Sequence, residues 1–319
     1  MIQDTLMVLF HILVFPGLLF VCVCGLLLAG IDRKVLAHMQ KRVGPPIVQP
    51  LYDFLKLMGK ETIVPQAANR TVFLAAPVIG FAGLVVMMLF IPVFGYGTFN
   101  GSADLIVLLY LLTIPAVALI IGGSASGNPY AGIGISREMV TMMAYEFPLI
   151  MVFLAVARKV GSVGALSFSM LNIEKWQQVN GSLITHWAMI PAAIAMLLII
   201  PAEVGTQPFD VAEAETEICE GPLVEYSGAP LAMFKLNTAV RMFIMTALFT
   251  MLFLGGITTG MVWLDAIILV AICALVTVCT MTLLHGICAR LKIEHLFKFY
   301  WTVVAALSLL SLALVWCGL

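Results

Sequence analysis

The sequence predicts an all-α, polytopic integral membrane protein, and three features carry that prediction. Of its 319 residues, 62% are hydrophobic and only 10% charged, against roughly 25% charged in a soluble globular domain. Such a composition cannot furnish a water-facing surface for the whole chain, so lipid must solvate much of it. The apolar residues gather into eight long runs, and crossing a bilayer takes about 20 mostly apolar residues. Lys and Arg are concentrated in alternate connections between those runs. The net charge of −1 hides this segregation and gives no reason to expect a nucleic-acid partner.

The runs cover approximately 5–30, 71–94, 105–122, 137–157, 185–202, 236–256, 262–285 and 297–318. They are continuous rather than alternating, which favours helices over a barrel. The first is too long for a signal-peptide core and lacks an A-x-A site, so no cleavable signal is expected. No internal repeat is evident, and 1–319 reads as a single integral membrane domain with two long loops, about 31–70 and 203–235. Within the first loop, Ile47, Leu51, Phe54, Leu55 and Met58 recur at helical spacing, with Asp53, Lys56 and Lys60 off that stripe. This predicts a short amphipathic helix on the membrane surface, or an ordinary packing helix.

Orientation follows from the positive-inside rule. The connection after the first run holds Arg33, Lys34, Lys41, Arg42, Lys56, Lys60 and Arg70, and those after the third, fifth and seventh add Arg137, Lys235, Arg290, Lys292 and Lys298. The opposite side holds Arg158, Lys159 and Lys175, while Arg241 lies inside the sixth run. Both termini are therefore expected outside and the charged loops in the cytoplasm.

The seven cysteines are scattered, with no C-x-x-C pair. Iron–sulfur and zinc sites need ligands at short fixed spacing, so no metal centre or other cofactor is expected in this chain.

The chemical centre of the sequence is the segment from Pro201 to Gly228. It carries Glu203, Asp210, Glu213, Glu215, Glu217, Glu220 and Glu225, and no Lys or Arg occurs between Lys175 and Lys235. Seven close carboxylates cannot all stay ionised cheaply unless water or a cationic partner screens them. If partly buried, they become coupled proton carriers. The interleaved Val211, Ala212, Ala214, Ile218 and Leu223 favour burial. Asp210 and Glu213 fit an N-cap and its capping-box partner opening a helix after Pro208, on which Asp210, Glu213, Glu217 and Glu220 would form one stripe and Glu215 would point elsewhere.

Two further acids approach the membrane interior in Ser136-Arg-Glu-Met-Val-Thr-Met-Met-Ala-Tyr-Glu-Phe-Pro148. Glu146 lies about 12 Å beyond Glu138 along a helix, well inside the bilayer, where a charged group costs several kcal/mol and is a functional candidate by default. Arg137 is either an interfacial anchor or a charge partner for these acids. Arg241 needs a carboxylate or water partner, which the acidic loop can supply. His285, alone near a helix end, is ambiguous, although such a histidine is usually structural.

These residues resemble a known family. The acidic loop is similar to the A-E-x-x-x-x-P-F-D-x-x-E-x-E-x-E segment of the quinone-channel membrane subunit of respiratory complex I. Tyr145-Glu146 looks like that family's intramembrane Tyr-Glu. Asp32 to Pro46, Gln49-Pro50 and Lys56 to Glu61 resemble its first cytoplasmic loop. The short Gly44-Pro-Pro-Ile-Val-Gln-Pro50, Ser136-Arg-Glu138 and Glu220 to Gly228 look like the homologous branch in energy-converting [NiFe] hydrogenases of the formate hydrogenlyase, Ech and Mbh types.

The resemblance implies a membrane-anchoring, ion-translocation coupling subunit of a prokaryotic cell-membrane hydrogenase complex. It implies hydrogenase large and small subunits, an iron–sulfur subunit and antiporter-like membrane subunits as partners, with the [NiFe] centre and iron–sulfur clusters in those partners. Glu146, Glu203, Glu213, Glu215 and Glu225 match the acids of the family's lateral channel, with Glu138, Asp210 and Glu217 beside them. Arg33, Lys34, Arg42, Lys56 and Glu61 fall in the loop that docks the peripheral arm. The alternatives are the quinone-channel subunit of complex I itself and a self-sufficient secondary transporter. The last usually shows paired repeats, broken helices or midmembrane ion sites, whereas these acids crowd one loop.

Overall fold

The computed structural model describes residues 10–92, 105–161, 166–256 and 261–318. Over these residues the chain is built from helices: α1 Leu18–Met39, α2 Gln49–Met58, α3 Arg70–Phe90, α4 Leu105–Ala125, α5 Pro129–Val160, α6 Met170–Asn180, α7 Ile190–Val204, α8 Glu215–Ile218 and α9 Gly228–Phe253. Two further spans follow, α10 Val262–Ile287 and α11 Ile293–Trp316. Among the described residues, eight helices are long and apolar enough to cross a membrane, one for each expected run. Residues 5–9 and 93–94 of the expected runs lie outside the described residues.

Three boundaries differ from expectation, each for a local reason. The first span continues as helix to Met39, so 31–39 is not loop. Its polar turn is accommodated because the Asp32 carboxylate accepts a hydrogen bond from Thr282 on α10 (2.7 Å). The fourth starts at Pro129 rather than near 137. Asn128 is its N-cap, accepting from the Tyr130 N–H (2.8 Å), and Pro129 suits the first helical position. The sixth starts at Gly228 rather than 236, which shortens the second loop. The amphipathic helix of the first loop is present as α2.

α9 is the central helix, buried along nearly its whole length and touching α1, α2, α3, α7 and α10. In lipid, apolar burial gives helices little reason to associate, so close packing and interhelical hydrogen bonds must hold the bundle, the latter worth ~0.6–2 kcal/mol each. The bonds are there. Asn237 on α9 donates to the Pro77 carbonyl of α3 (3.0 Å). Gln177 of α6 donates to the carbonyls of Met251 and Leu252 (3.1 and 2.8 Å), satisfying the end of α9. Tyr300 of α11 donates to the Leu198 carbonyl of α7 (2.7 Å). Pro77 lacks an N–H and so frees the carbonyl four residues back, that of Phe73; the Tyr226 hydroxyl donates to it (3.1 Å) and its ring stacks on Phe73.

The same loop face is tied together by two close approaches. A Cβ on Gly134 of α5 would sit 2.5 Å from Pro222 Cδ, so only glycine lets the 221–223 turn rest on α5. At Gly228, with φ +60°, a Cβ would sit 2.6 Å from the Glu61 carbonyl oxygen. Next to it, Ser227 Oγ accepts from the Ile63 N–H (3.0 Å), joining the two long loops.

Candidate coupling site

The acidic loop starts where α7 stops. Gly205, at φ +76°, takes the left-handed position that ends the helix, and its N–H returns to the carbonyls of Pro201 and Ala202. The chain then turns inward. Phe209 packs on Tyr300 and Phe299, with ring centroids 5.4 and 6.2 Å away. The expected helix after Pro208 does not form: residues 211–214 are irregular and α8 has four residues only. Asp210 is not an N-cap. It is ion-paired with Arg290 at 2.8 Å, while the Leu291 N–H donates to the Pro208 carbonyl (3.1 Å). The chain between α10 and α11 thus straps the loop in an extended path and overrides its local capping pattern. Gln207 joins the strap, accepting from Arg290 (3.0 Å) and donating to His285 (2.8 Å).

The apolar residues between the acids do what their pattern predicted. Val211, Ala212, Ala214, Ile218 and Leu223 are all buried, which draws part of the loop into the protein. Cys219, Glu220 and Gly221 take consecutive left-handed conformations (φ 51°, 68° and 50°). For a non-glycine residue this costs of order 1–3 kcal/mol and persists only where packing enforces it. Here the enforcement is the seat of Pro222 on Gly134.

Three of the predicted acids converge on Arg241. Glu203, Glu138 and Glu213 each sense its charge. Arg241 is buried, donates from Nη1 to the Glu203 carbonyl oxygen (2.7 Å), and keeps its Nε without a hydrogen-bond partner. One guanidinium compensates one carboxylate. The remaining negative charge of a three-carboxyl cluster must be met by protons or by cations from outside. Glu138 and Glu213 border a cavity of ≈ 30 Å³ that also reaches Thr141, Asn237 and Arg241, room for about one or two water molecules.

This cavity opens outward. A vestibule of ≈ 310 Å³ shares Gly205, Asp210, Glu213 and Thr238 with it, and is rimmed by Asp32, Glu215, Glu220, Lys235 and Arg290. Glu213 therefore stands at the neck. Burial pushes its carboxyl up to about 8, with the charges of Glu138 and Asp210 acting in the same direction and Arg241 opposing. Burial likewise raises Asp210, against the attraction of Arg290.

On the inner side, the Tyr145 hydroxyl is hydrogen-bonded to the Glu203 carboxyl, and one Glu203 oxygen is buried without a partner. Tyr145 shares a face of α5 with Glu138 and Thr141, at steps of three and four residues. Glu146 is the next residue along, and Glu203 senses its charge. Glu146 itself is half-buried.

The other predicted residues are not brought to this cluster. Glu215 is exposed at the vestibule rim. Glu217, also exposed, is ion-paired with Arg137 at 2.5 Å, so Arg137 is a charge partner. Glu225 accepts from Asn128 (2.5 Å) at the start of α5. Arg33 pairs with Asp53 of α2 (2.8 Å); Arg42, Lys56 and Glu61 are exposed and Lys34 is half-buried. Among the described residues, Arg137, Arg241 and Arg290 partner the acidic loop directly, and Arg33 and Lys235 line the vestibule beside Glu213 and Glu215. Sequence reasoning passed over Arg290, Gln207 and Asn128. The only signal for them was their position at the ends of spans, where a polar side chain must find a partner.

The comparisons agree with this architecture. The family described as NADH dehydrogenase matches residues 11–316. The H subunit of NADH-quinone oxidoreductase from Geobacillus kaustophilus is 32% identical over 296 residues, 89% of this chain and 86% of that protein. Hydrogenase-4 component C of Escherichia coli is 35% identical over 229 residues, 72% of this chain and 70% of that protein. A chain of the membrane-bound sulfane sulfur reductase, an archaeal respiratory membrane complex, superposes with a TM-score of 0.86 at 29% identity, covering 98% of each chain. These relatives are subunits of multi-subunit membrane complexes. With its eight spans, its inward-turned acidic loop and these matches, the chain belongs to the NADH dehydrogenase family, as a complex I-like multi-pass membrane subunit.

Proposed function

We propose that this chain is the membrane-anchoring, ion-translocation coupling subunit of a membrane-bound energy-converting [NiFe] hydrogenase complex in a prokaryotic cell membrane. The charged loops face the cytoplasm and both termini face outside. Redox chemistry takes place in partner subunits, namely the hydrogenase large and small subunits and an iron–sulfur subunit, docked on the first loop through Arg33, Lys34, Arg42, Lys56 and Glu61. This chain converts that chemistry into ion movement toward antiporter-like neighbours.

One observation carries the reading: carboxyls run from an open vestibule into the membrane interior, with Glu213 at the neck. Glu215 collects ions at the rim, beside Asp210. Glu213, Glu138 and Glu203 exchange them around the fixed charge of Arg241, and Glu146, half-buried on α5, passes them sideways. Glu217 and Glu225, held by Arg137 and Asn128, brace the path. The similarity to hydrogenase-4 component C supports the hydrogenase branch. The similarity to the NADH-quinone oxidoreductase relative supports the second reading, a quinone-reactive complex I subunit.

Mass spectrometry of the complex that copurifies with this chain in mild detergent separates the two. The expected result is a large subunit bearing the nickel-ligand cysteines of a hydrogenase. A large subunit without them, accompanied by NADH-oxidising subunits, would overturn the hydrogenase assignment and leave the quinone reading.

A further inference from the structure

His285, half-buried near the end of α10, takes no part in the proposed relay, yet it closes the chain of bonds that straps the acidic loop. The Gln207 amide donates to His285 Nε2 (2.8 Å) and accepts from Arg290 Nη2 and Nε (3.0 and 3.2 Å). The same Nη2 donates to Asp210 (2.8 Å). A π-helical turn, Val278–Thr282, precedes the ring, and such turns are rare and gather at functional sites. One turn back from His285, Thr282 donates to Asp32 of α1 (2.7 Å), so the ring stands between α1 and the strap. The charged groups around it are Asp32, which senses both its charge and that of Arg33, and, through Gln207, Asp210 and Arg290.

Donors and acceptors make this arrangement conditional. A guanidinium only donates, and an amide has one accepting and one donating end. Gln207 can offer its oxygen to Arg290 only while its nitrogen faces an acceptor, an Nε2 without a proton. A protonated imidazole donates from both nitrogens. The amide must then turn its oxygen to His285, which sets its N–H groups against those of Arg290. Arg290 loses the acceptor shared by Nη2 and Nε and keeps Asp210 alone. Asp210 also senses the Gln207 side chain, so the turned nitrogen competes with Arg290 for that carboxylate.

We propose that His285 is a proton-operated latch on the acidic loop. Neutral, it holds Gln207 and Arg290 across Asp210 and keeps the strap closed; protonated, it turns the Gln207 amide over and frees segment 206–211 beside the vestibule. An imidazole suits this task because it is the side chain that ordinarily changes charge between about pH 5 and 8. The purpose of the latch rests on the coupling reading: protons reaching the vestibule loosen the loop that receives them. Its sign is opposite to that of Glu213, whose extra proton stabilises the folded state as pH falls.

The test is hydrogen exchange of the intact complex in mild detergent at about pH 8 and about pH 5. Protection is corrected for the intrinsic effect of pH on exchange and read by mass spectrometry over 206–211 and 288–291. In the unsubstituted protein, protection of both segments falls by roughly tenfold or more at the lower pH, the loss of one hydrogen bond to a charged group. His285→Gln does not titrate but keeps an acceptor for the Gln207 nitrogen, and stays protected at both pH values. His285→Lys, a donor only, is loosened at both. Gln207→Glu offers oxygens to Arg290 and to a protonated His285 together, and stays protected at both; it decides the matter if a His285 variant fails to assemble. Exchange in α9 and size exclusion check folding and assembly. Loosening at low pH that persists in His285→Gln belongs to Asp32, Asp210 or another acid and overturns the proposal. Equal loosening of His285→Gln and His285→Lys at both pH values makes the ring a spacer and overturns it too. So does a pH effect that survives Gln207→Glu, which assigns the response to repulsion between imidazolium and Arg290. No electron donor or ion gradient is present, so these outcomes stand apart from the coupling reading, which is judged by ion uptake in Glu213→Gln vesicles.

Discussion

The two halves of the acidic loop carry the same number of acids and have different surroundings. From Glu203 to Glu213 the acids are buried or half-buried, around Arg241 and Arg290, next to a cavity with room for about one or two waters. From Glu215 to Glu220 they stand at the rim, exposed or half-buried, with Arg137 as a partner for Glu217. What divides them is the strap between α10 and α11, which holds Pro208 and Asp210 down, and the left-handed turn at 219–221, which lifts the second half out. A carboxylate in water is stabilised by solvent and can be replaced by it. A carboxyl at the narrow neck between cavity and vestibule cannot, so the first half should dominate function and the second half should not.

The sharpest break in that comparison is Glu213→Gln against Glu215→Gln. Loss of a positioned proton-transfer group costs typically 10²–10⁴-fold, so donor-driven ion uptake in Glu213→Gln vesicles should fall by about a hundredfold or more. Glu215→Gln should reduce it only a few-fold, because neighbouring acids and water reach the same rim. Equal losses would show that burial does not distinguish the halves.

Next in size is Arg241→Leu. Removing one partner of a buried charge cluster costs about 3–5 kcal/mol, so the variant should assemble poorly or lower the thermal transition of the purified complex. Combining it with Glu138→Gln and Glu203→Gln should recover much of the loss. Failure of that rescue would mean that Arg241 acts mainly through its bond to the Glu203 carbonyl.

Arg290→Ala should be milder, about 1–2 kcal/mol for a half-buried, charge-assisted bond. Its effect should be local, with faster hydrogen exchange over 206–211 and little change in 215–220. Uniform acceleration would contradict the strap. Glu217→Gln, on an exposed pair, should change stability by ~0–1 kcal/mol.

The pH dependence follows from Glu213. Its carboxyl is neutral in the folded protein up to about 8, whereas its ordinary value is 4.5. Between these values the folded state holds the extra proton, so stability falls as pH rises through the window and levels off above it. Glu213→Gln should flatten this part of the stability profile, measured by thermal unfolding of the detergent-solubilised complex. A profile unchanged by the substitution would place the titration on another group.

Much of this was legible in the sequence. The eight spans could be read because a bilayer demands long apolar runs, and the burial of the loop because small and aliphatic residues separate its acids. The convergence of Glu138, Glu203 and Glu213 on Arg241 was only partly legible: the need of a buried guanidinium for carboxylates was clear, but which carboxylates met it was not. The helix predicted at Asp210 failed because a capping box is a local preference, worth about 1 kcal/mol, and Arg290, 80 residues later, offers Asp210 a stronger partner. The beginnings of α5 and α9 were missed for a related reason. Ser136, Arg137 and Lys235, about two turns inside these helices, read as loop until Asn128 is seen capping α5 and Gly228 opening α9.

The most direct test of the account is coupled ion pumping in membrane vesicles carrying Glu213→Gln or Glu146→Gln, with assembly verified and electron transfer followed separately with an artificial dye at the redox subunits. If the inward branch of carboxyls is the relay, dye-linked electron transfer survives in both variants while donor-driven ion uptake is lost in both. Wild-type uptake in both variants, in an intact complex, would show that these acids are structural and that the ions take another route.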